Sequence, residues 1–378
     1  MVKVAIAGYG VIGMGVAKIL DEKARFMTTR TGTPVELSAI CDLRDFPDVP
    51  HPERFIKDYN LLLEDKDLQI VVECMGGVNA AFDLAQKTLR SGRHFITSNK
   101  ELVAEKGDIL IALARENHVN FLFEASVGGG IPILRPMAQC LSANRLLEIC
   151  GILNGTTNYI LTQMKNEGLS FADALAQAQQ AGYAEADPAA DISGKDACRK
   201  ICILAALSCG AHVYPKQVST QGIEDITLND VCYAESQGCR IKLLARAVYD
   251  EQMGLSVIVA PHCVPENHPL FAVEDVYNAV LVKGDAVGDV MFYGRGAGQM
   301  PTASAVVADI IDTVKHFQNP KHMGWEAAHM PIEDLPVPAP PAQYYIRLAG
   351  ETTGRIVDAS APDAQRSDAA LCLRVLTP

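Results

Sequence analysis

The feature that most constrains the fold of this chain is at its start, where an apolar run leads directly into a glycine-rich turn. Residues Val2 to Gly8 read VKVAIAG, an unbroken apolar run that is typical of a strand buried on both faces. Gly8, Gly10 and Gly13 then occupy the positions of a GxGxxG pattern. Glycines between a strand and a helix let backbone N–H groups approach an anionic group closely. The sequence therefore predicts a strand, a phosphate-binding turn and a helix.

A second apolar run, VELSAICD, ends in Asp42. A carboxylate at this point of a dinucleotide-binding fold accepts hydrogen bonds from the ribose hydroxyls on the adenine side. The TTRTGTPVE insertion explains why the spacing from the glycine turn exceeds the usual ~20 residues. Arg44 complicates the choice of cofactor, because it can receive a 2′-phosphate that Asp42 repels. The pattern predicts a dinucleotide site and leaves NAD and NADP open.

Strand-like and helix-like segments alternate after this turn. LQIVVECMGG, RHFITSNK and VNFLFEASVGGG read as strands, and AAFDLAQKTLRSG and ELVAEKGDILIALARENH read as helices. This order indicates an α/β fold with a doubly wound parallel sheet of the Rossmann type. Ligands of such sheets lie beyond the carboxyl ends of the strands. We therefore expect residues 75–77, 97–100 and 124–133 to lie at the ligand-binding edge.

An acidic stretch runs from Gly182 to Lys200 and reads GYAEADPAADISGKDACRK. Asp196 and Lys200 are four residues apart, so on a helix they share one face and can form an ion pair. Spacing alone does not separate this arrangement from an ordinary solvated acidic loop. Upstream, NRLLEICGILNG reads as a strand and TTNYILTQMKNEG as a helix, with Thr156 or Thr157 as its N-cap.

Length and composition limit the classes of function. The 378 residues suggest two or three domains. The net charge of -12 argues against nucleic acid and anionic membranes as partners, because Coulomb repulsion acts at long range. No apolar run reaches the roughly 18 residues of a membrane span. The eleven cysteines lie outside any CxxC framework and the start lacks a signal-peptide pattern, so we expect a cytosolic protein with reduced thiols.

Several separated segments, over roughly residues 1 to 312, resemble homoserine dehydrogenases. They are TSNKELVA, FEASVGGGIPI, ILNGTTNYIL and GYAEADPAADISGKDACRK, in the order that the family shows. The resemblance implies an NAD(P)-dependent interconversion of L-aspartate 4-semialdehyde and L-homoserine, on the shared route to threonine, methionine and isoleucine. It also implies assembly as a homodimer or a higher homo-oligomer.

The resemblance implies that Lys200 is the proton donor and acceptor, that Glu185 and Asp196 bind the amino acid substrate, and that Lys100 lies by cofactor and substrate. As the ion-pair neighbour of Lys200, Asp196 is also an expected catalytic residue. Physical reasoning adds Asp191 as a carboxylate for the substrate ammonium, and the amides around Thr156 and Thr157 for its carboxylate. The expected cofactor-binding residues are Gly8, Gly10, Val11, Ile12, Gly13, Asp42, Arg44, Thr97, Ser98, Lys100 and, from its position in the family, Gly298. The implied sodium ligands are Glu124, Val127, Gly129 and Ile131.

The sequence predicts five segments. They are an NAD(P)-binding Rossmann domain over 1–133, an α+β catalytic, substrate and dimerisation domain over 134–297, a helix returning to the cofactor domain over 298–316, a proline-rich linker over 317–343, and a C-terminal appendage over 344–378. The run YYIRL resembles the first strand of an ACT regulatory domain. The 35 residues from Tyr344 onward are about half of such a domain, so we expect a remnant or a small β appendage.

Two other functions are open at this point. One is another Rossmann-type reductase of amino-acid semialdehydes that works through a thioester and needs a reactive cysteine. Cys74 and Cys150 lie in apolar runs without a nearby histidine, which counts against it. The other is a non-catalytic sensor that binds a dinucleotide, in which Lys200 would be only the ion-pair partner of Asp196.

Overall fold

The computed structural model of the chain describes residues 1–252, 254–321, 323–326, 335–365 and 368–376. The chain divides into two compact units, each made of separated stretches. The first unit comprises Met1–Ser142, Ala206–Tyr214 and Ala297–Pro331. The second unit comprises Ala143–Ala205, Pro215–Gly296 and Ile332–Pro378. The boundaries of the five segments stay predictions.

The first unit is built on a six-stranded sheet whose strand pairs are all parallel. Its strands are β1 (Val2–Ala7), β2 (Val35–Cys41), β3 (Phe55–Ile56), β4 (Leu68–Glu73), β5 (His94–Thr97) and β6 (Phe121–Leu122). Their spatial order is β3-β2-β1-β4-β5-β6. This is the order of a doubly wound dinucleotide-binding sheet, so the predicted Rossmann-type fold is confirmed.

The described part of the first unit also contains α-helices. They are α1 (Val11–Glu22), α2 (Ala24–Thr31), α3 (Asn79–Arg90), α4 (Lys100–Glu116) and, much later in the chain, α10 (Gln299–Lys315). Helix α10 packs closely on α1 at Gly15, where a Cβ in place of the glycine hydrogen would approach the Cβ of Ala303 to 2.9 Å. Val306 and Ile310 of α10 belong to the same buried cluster as Val4 and Ile6 of β1.

The strand predicted around residues 119–130 is much shorter in the structure. Only β6 pairs with the sheet, and a turn of 3-10 helix, Glu124–Ser126, follows it. The backbone N–H of Glu124 donates to Oδ2 of Asp309 at 2.8 Å instead of to a neighbouring strand. A side chain from α10 therefore ends the pairing that the apolar pattern predicted.

The second unit contains a nine-stranded mixed sheet. Its strands are β7 (Leu146–Ile152), β8 (Ser219–Thr220), β9 (Cys239–Asp250), β10 (Gly254–Pro265), β11 (Tyr277–Gly284), β12 (Gly288–Arg295), β13 (Gln343–Leu348), β14 (Arg355–Asp358) and β15 (Ala369–Val375). The order is β12-β11-β7-β9-β10-β15-β13-β14, and β8 also pairs with β10. The pairs of β10 with β8 and with β15 are parallel, and the others are antiparallel.

The helices that follow β7 carry the acidic stretch. They are α5 (Gly155–Glu167), α6 (Phe171–Gln180), α7 (Ala189–Ile192) and α8 (Lys195–Cys209), and α9 (Leu228–Ser236) comes later. The predicted N-cap of α5 at Thr156 or Thr157 was wrong. Asn154 is the cap, because its backbone is extended and its side chain accepts the N–H of Thr157. None of the helices within the described part of the chain combines the length and apolar character needed to cross a bilayer.

The C-terminal strands continue the second sheet. β15 pairs with β10 at His262 and Cys263, and β13 and β14 extend the sheet beyond β15. Part of the predicted linker, residues 322 and 327–334, lies outside the described residues, as do residues 366–367 and 377–378 of the predicted appendage. Earlier in that linker, Trp325 is buried in the first unit and packs against Phe123 and His212.

Candidate functional site

The glycine turn between β1 and α1 has the geometry that its sequence predicts. Gly8 has a φ of +97° and its N–H donates to the carbonyl of Cys41 at 2.8 Å. A Cβ at Gly13 would lie 2.0 Å from the carbonyl oxygen of Gly8, so any larger residue there would displace the turn. A Cβ at Gly10 meets nothing within 4 Å. Gly13 is therefore required by packing, whereas Gly10 leaves open space before α1.

Helix α1 begins at Val11 and has no side-chain cap at Gly10. The first N–H groups of a helix lack intrahelical acceptors and carry partial positive charge. Val11 is 59% exposed, while Ile12 packs partly against the core. An uncapped helix end next to a glycine turn is the arrangement that binds a pyrophosphate. Gly298, also predicted as a cofactor contact, is the N-cap of α10 with a φ of +118°.

Asp42 lies at the end of β2 and is tied to both the glycine turn and Arg44. Its Oδ2 accepts the N–H of Tyr9 at 2.7 Å. Arg44 donates from Nε and a terminal nitrogen to the two carboxylate oxygens at 3.0 and 2.9 Å. These bonds hold the pKa of Asp42 well below its ordinary value. Asp42 and Arg44, which favour different dinucleotides by their charge, thus form an ion pair with each other.

Sequence reasoning missed Glu73, at the carboxyl end of β4. Glu73 is fully buried, and its Oε1 accepts the N–H groups of Met75 and Gly76 at 2.7 and 3.1 Å. Its Oε2 accepts the hydroxyl of Thr97 at 2.6 Å. Burial raises the pKa of Glu73 above its ordinary value. An acidic residue ending an otherwise apolar strand was the signal that could have found it.

Sequence reasoning also missed Asn99, which lies at the same carboxyl edge of the sheet as Glu73. Its Oδ1 accepts the N–H groups of Glu101 and Leu102 at 3.1 Å, so it caps α4, and its Nδ2 donates to the carbonyl of Gly77 at 2.6 Å. The loops after β4 and β5 are joined by this bond. Between them lie Ser98, whose hydroxyl contacts the Cys74 thiol, and Lys100, the first residue of α4.

Glu124 uses its side chain to organise the loop that follows β6. Its carboxylate is nearly fully buried, and it accepts N–H groups from Ile133 and Leu134 at Oε1 and from Arg135 at Oε2, at 2.6 to 2.9 Å. The carboxylate therefore caps the helical turn that begins there. Arg135 in turn bonds Asp309 at 2.5 Å.

Three expected cation ligands lie inside this loop. They are Val127, Gly129 and Ile131, of which Val127 and Ile131 are buried and Gly129 has a φ of +56°. The N–H of Ile131 donates to the carbonyl of Gly128 at 2.9 Å, which closes the loop on itself. The described residues contain no cluster of three or more His, Cys, Asp or Glu that could hold a metal ion. A cation here would rest on main-chain carbonyls, because the Glu124 carboxylate is engaged by amides.

Lys200 lies on α8 in the second unit and is 8% exposed. Its Nζ donates to Oδ2 of Asp196 at 2.8 Å and to the carbonyl of Leu153 at 2.7 Å. The ion pair that the four-residue spacing predicted is therefore present, and it is buried. A buried ammonium with two fixed acceptors has a defined position, unlike a lysine on a solvated face.

Asn154 connects this pair to a further predicted residue, and sequence reasoning missed it. Its Nδ2 donates to Oδ1 of Asp191 at 2.7 Å and to Oδ2 of Asp196 at 2.9 Å. Asn154 lies between β7 and α5, immediately after Leu153. The capping-type residue at the head of NGTTN was the signal that could have found it.

The remaining predicted substrate residues lie around the start of α5. Thr157 is held by Asn154, and Thr156 donates its hydroxyl to the carbonyl of Tyr183 at 2.7 Å. That bond ties α5 to the loop that carries Glu185. The backbone carbonyl of Glu185 accepts a bond from Gln179, and its side chain is exposed. The structure thus gathers Asp191, Asp196 and Lys200 around Asn154 and gives Glu185 a solvent-facing position.

The sheet order, the glycine turn and the acid at the end of β2 define a dinucleotide-binding protein of the Rossmann type. Residues 8–124 match the family described as homoserine dehydrogenase, NAD binding domain, and residues 132–311 match the family described as homoserine dehydrogenase. The chain belongs to the homoserine dehydrogenase family, whose members are oxidoreductases.

Curated relatives agree with this assignment. The homoserine dehydrogenase of Neisseria gonorrhoeae is 39% identical over 355 residues, which are 92% of this chain and 81% of the relative. The enzyme of Synechocystis is 43% identical over 319 residues, covering 83% of this chain and 73% of the relative. The enzyme of Bacillus subtilis is 40% identical over 84% of this chain and 74% of the relative.

Solved structures show the same fold. A homoserine dehydrogenase from Thiobacillus denitrificans superposes with a TM-score of 0.88 at 32% identity, covering 99% of this chain and 98% of that one. A hyperthermophilic archaeal homoserine dehydrogenase in complex with NADPH gives a TM-score of 0.71 at 28% identity, covering 82% and 97%. The predicted homoserine dehydrogenase function is confirmed, and a nicotinamide dinucleotide is its cofactor.

The two alternative functions are not favoured. The matching families, the curated relatives and the solved structures are all homoserine dehydrogenases. Burial also raises the pKa of the Cys74 thiol, and it raises the pKa of Cys150 to about 12. Neither thiol forms a thiolate readily, as a thioester mechanism would require.

Proposed function

We propose that the enzyme interconverts L-aspartate 4-semialdehyde and L-homoserine with NAD(P), and that Lys200 gives and takes the proton at the substrate oxygen. The observation that carries this proposal is the buried ammonium of Lys200, held by Asp196 and by the carbonyl of Leu153. An ammonium has three N–H donors, and these two bonds orient the third. When bound, the dinucleotide supplies or accepts the hydride.

Reduction of the aldehyde needs one positioned acid, because negative charge develops on the oxygen as the hydride arrives. Lys200 fits this role as an ammonium that donates to a carboxylate. Oxidation of the alcohol needs the same lysine to accept a proton, so that direction requires its neutral form. Asp196 holds Nζ in place through its ion pair with Lys200.

The substrate is an amino acid, and we propose separate partners for its two charged groups. Asp191 and Glu185 provide carboxylates for the substrate ammonium. Amides in the first turn of α5, around Thr156 and Thr157, favour a carboxylate because the helix N-terminus is partially positive. We assign Lys100 to the substrate carboxylate and the cofactor, since it is the first residue of α4 and follows the capped Asn99 turn.

We propose that either dinucleotide binds across the glycine turn and Asp42. The solved archaeal relative binds NADPH. Arg44 is 63% exposed at its side chain and can turn from Asp42 to a 2′-phosphate, whereas Asp42 serves a ribose hydroxyl. The remaining contacts are those predicted above at Gly8, residues 10–13, Thr97, Ser98, Lys100 and Gly298.

A sodium ion at the main-chain carbonyls of the 124–131 loop remains a proposal from the resemblance. Carbonyl oxygens are hard ligands that suit such a cation. Turnover measured in sodium, potassium and choline chloride at equal ionic strength tests it. Equal rates in all three salts contradict it.

We also propose that the enzyme assembles as a homodimer or higher homo-oligomer and works in the cytosol. The edge strand β12 exposes Met291 and Tyr293, apolar side chains that a partner would cover. The eleven cysteines lie outside any CxxC framework, in line with a reducing compartment. Sedimentation of the wild-type chain and of Tyr293→Lys tests the assembly, and identical masses at the monomer value contradict it.

One assay tests the activity. The purified chain is mixed with aspartate semialdehyde and NADH or NADPH, and absorbance at the nicotinamide band is followed. No consumption with either cofactor contradicts the reaction. Lys200→Ala should lower turnover at least about 100-fold while cofactor binding persists. Lys195→Ala, an exposed lysine on the same helix, is the matched control and should keep its rate.

A further inference from the structure

We propose that Asn154 is a positioning residue for proton transfer: its amide holds the carboxylate of Asp196, and thereby fixes the ammonium of Lys200. The inference rests on the proposed role of Lys200. Asn154 also caps α5, so a test of the positioning role has to leave the helix cap in place.

The three contacts of the Asn154 side chain fix its orientation. Nδ2 donates to Asp191 at 2.7 Å and to Asp196 at 2.9 Å, and Oδ1 accepts the N–H of Thr157 at 2.8 Å. Reversing the amide would aim its oxygen at two carboxylates and its NH2 at an N–H donor. Asn154 is 5% exposed, so water has little access to replace these bonds.

One oxygen atom joins the amide to the ammonium. Oδ2 of Asp196 accepts hydrogen bonds from both Nδ2 of Asn154 and Nζ of Lys200. Lys200 is held on its other side by the carbonyl of Leu153. Two successive residues, Leu153 by its backbone and Asn154 by its side chain, therefore define where the carboxylate and the ammonium lie.

A neutral amide suits a position between two carboxylates. It supplies a donor to each without adding a cation that would compete with Lys200 for Asp196. Asp191, proposed for the substrate ammonium, is attached to the same amide. The placement of substrate and the placement of the proton donor are thus coupled through one side chain.

Asn154→Ser separates positioning from capping. Serine caps a helix about as well as asparagine, but its hydroxyl carries a single hydrogen and cannot donate to both carboxylates as the amide NH2 does. We expect kcat to fall about 10- to 100-fold, since small misplacements of a reacting group have effects of that order. The KM for NAD(P) should not change. Wild-type kcat in Asn154→Ser overturns the proposal.

Two further variants keep the test decisive. Asn154→Asp retains the shape and the capping oxygen but lacks both N–H donors, so it should lose kcat even if the serine variant does not fold. Wild-type kcat in Asn154→Asp overturns the proposal as well. Ser170→Ala removes the cap of α6, and should lower the unfolding midpoint without lowering kcat.

Measuring Lys200→Ala alongside these variants distinguishes an error in the proposed proton donor from an error in the proposed positioning role. If Lys200→Ala keeps its rate, the proposed proton donor is wrong. If Lys200→Ala is inactive while Asn154→Ser and Asn154→Asp keep the wild-type rate, only the positioning role is wrong. Loss of kcat in all three variants, with unchanged KM for NAD(P), supports both.

Discussion

The phenolic oxygen of Tyr345 lies 2.5 Å from Oδ1 of Asp230 and attaches the C-terminal strands to α9. The same phenol accepts the N–H of Gly354 at 2.8 Å, and Nε of Arg347 donates to Asp230 at 2.9 Å. Asp230 is fully buried, and its other oxygen completes a capping box with Thr227. The C-terminal strands are therefore attached to the second unit through a buried carboxylate with several donors.

Tyr345→Phe should lower the free energy of unfolding by about 1–3 kcal/mol, because it leaves the buried N–H of Gly354 without its acceptor and removes one of the donors to the Asp230 carboxylate. Urea unfolding followed by circular dichroism measures this change. Tyr344→Phe, in the same strand, is the matched control and should change stability less. Equal losses in the two variants would show that the Asp230 contact does not carry the attachment.

Two alanine substitutions in the glycine turn should have different effects. Gly13→Ala places a Cβ 2.0 Å from the carbonyl of Gly8 and should lower the unfolding midpoint. Gly10→Ala meets no atom within 4 Å, so its midpoint should stay near the wild-type value. The added methyl group at position 10 occupies the space before α1, where the pyrophosphate is proposed to bind, so cofactor affinity should fall at least about tenfold.

Thermal unfolding and cofactor titration by nicotinamide fluorescence separate these effects. A Gly10→Ala variant that binds NADH and NADPH as tightly as the wild type would place the pyrophosphate elsewhere. A Gly13→Ala variant with unchanged stability would mean that the turn accommodates the added carbon.

Substitution of Arg44 and of Asp42 should change cofactor choice in opposite directions. Arg44→Ala removes the cation for a 2′-phosphate, so kcat/KM for NADP should fall relative to NAD by at least about tenfold, or ~1.4 kcal/mol. Asp42→Ala removes the ribose acceptor and the repelling charge, so the ratio should move toward NADP. Ratios that move together in both variants would contradict these assignments.

Lys242 gives the second unit a pH-dependent stability. It lies on β9, is 2% exposed, and its Nζ donates to Asn158 at 3.0 Å and to the carbonyl of Val273 at 2.6 Å. Burial lowers the pKa of Lys242 to about 7, with Glu274 opposing this shift and Arg240 adding to it. At pH values between this lowered pKa and the ordinary pKa of lysine, the unfolded chain binds the proton more strongly than the folded chain.

The contribution of Lys242 to the free energy of unfolding therefore rises with pH through this window, by up to about 1.4 kcal/mol per unit. Lys242→Met removes this contribution. The difference in unfolding free energy between wild type and variant should thus shift in favour of the wild type between about pH 7 and pH 9. Urea titrations at both values measure it, and a constant difference would mean that the lysine is charged throughout.

The order of elements in the first unit could be predicted because its central strands are continuous apolar runs separated by helical patterns. β4, for example, is almost wholly buried and ends at Glu73. The length of β6 could not be predicted. It depends on the bond from Glu124 to Asp309, which lies 185 residues away in the chain.

The candidate site also contains one part that the sequence predicts and one part that it does not. The Asp196–Lys200 pair follows from local spacing, because residues four apart on a helix share a face. Asn154 competed with Thr156 and Thr157 as a cap within NGTTN, and all three residue types cap helices. Only the position of Asp191 and Asp196 in space shows why the asparagine takes that place.

Helix α10 supplies Ala303, Val306 and Ile310 to the core that begins at β1, although it is encoded near the far end of the chain. During synthesis, β1 and α1 leave the ribosome while α10 has not yet been translated. Apolar side chains of the same buried cluster, such as Val16, lack the α10 members of that cluster while the residues between α1 and α10 are being translated. The first unit is therefore completed only after Lys200, the proposed proton donor, has been synthesised. We expect a nascent chain arrested before residue 299 to bind chaperones, because its apolar surface stays exposed.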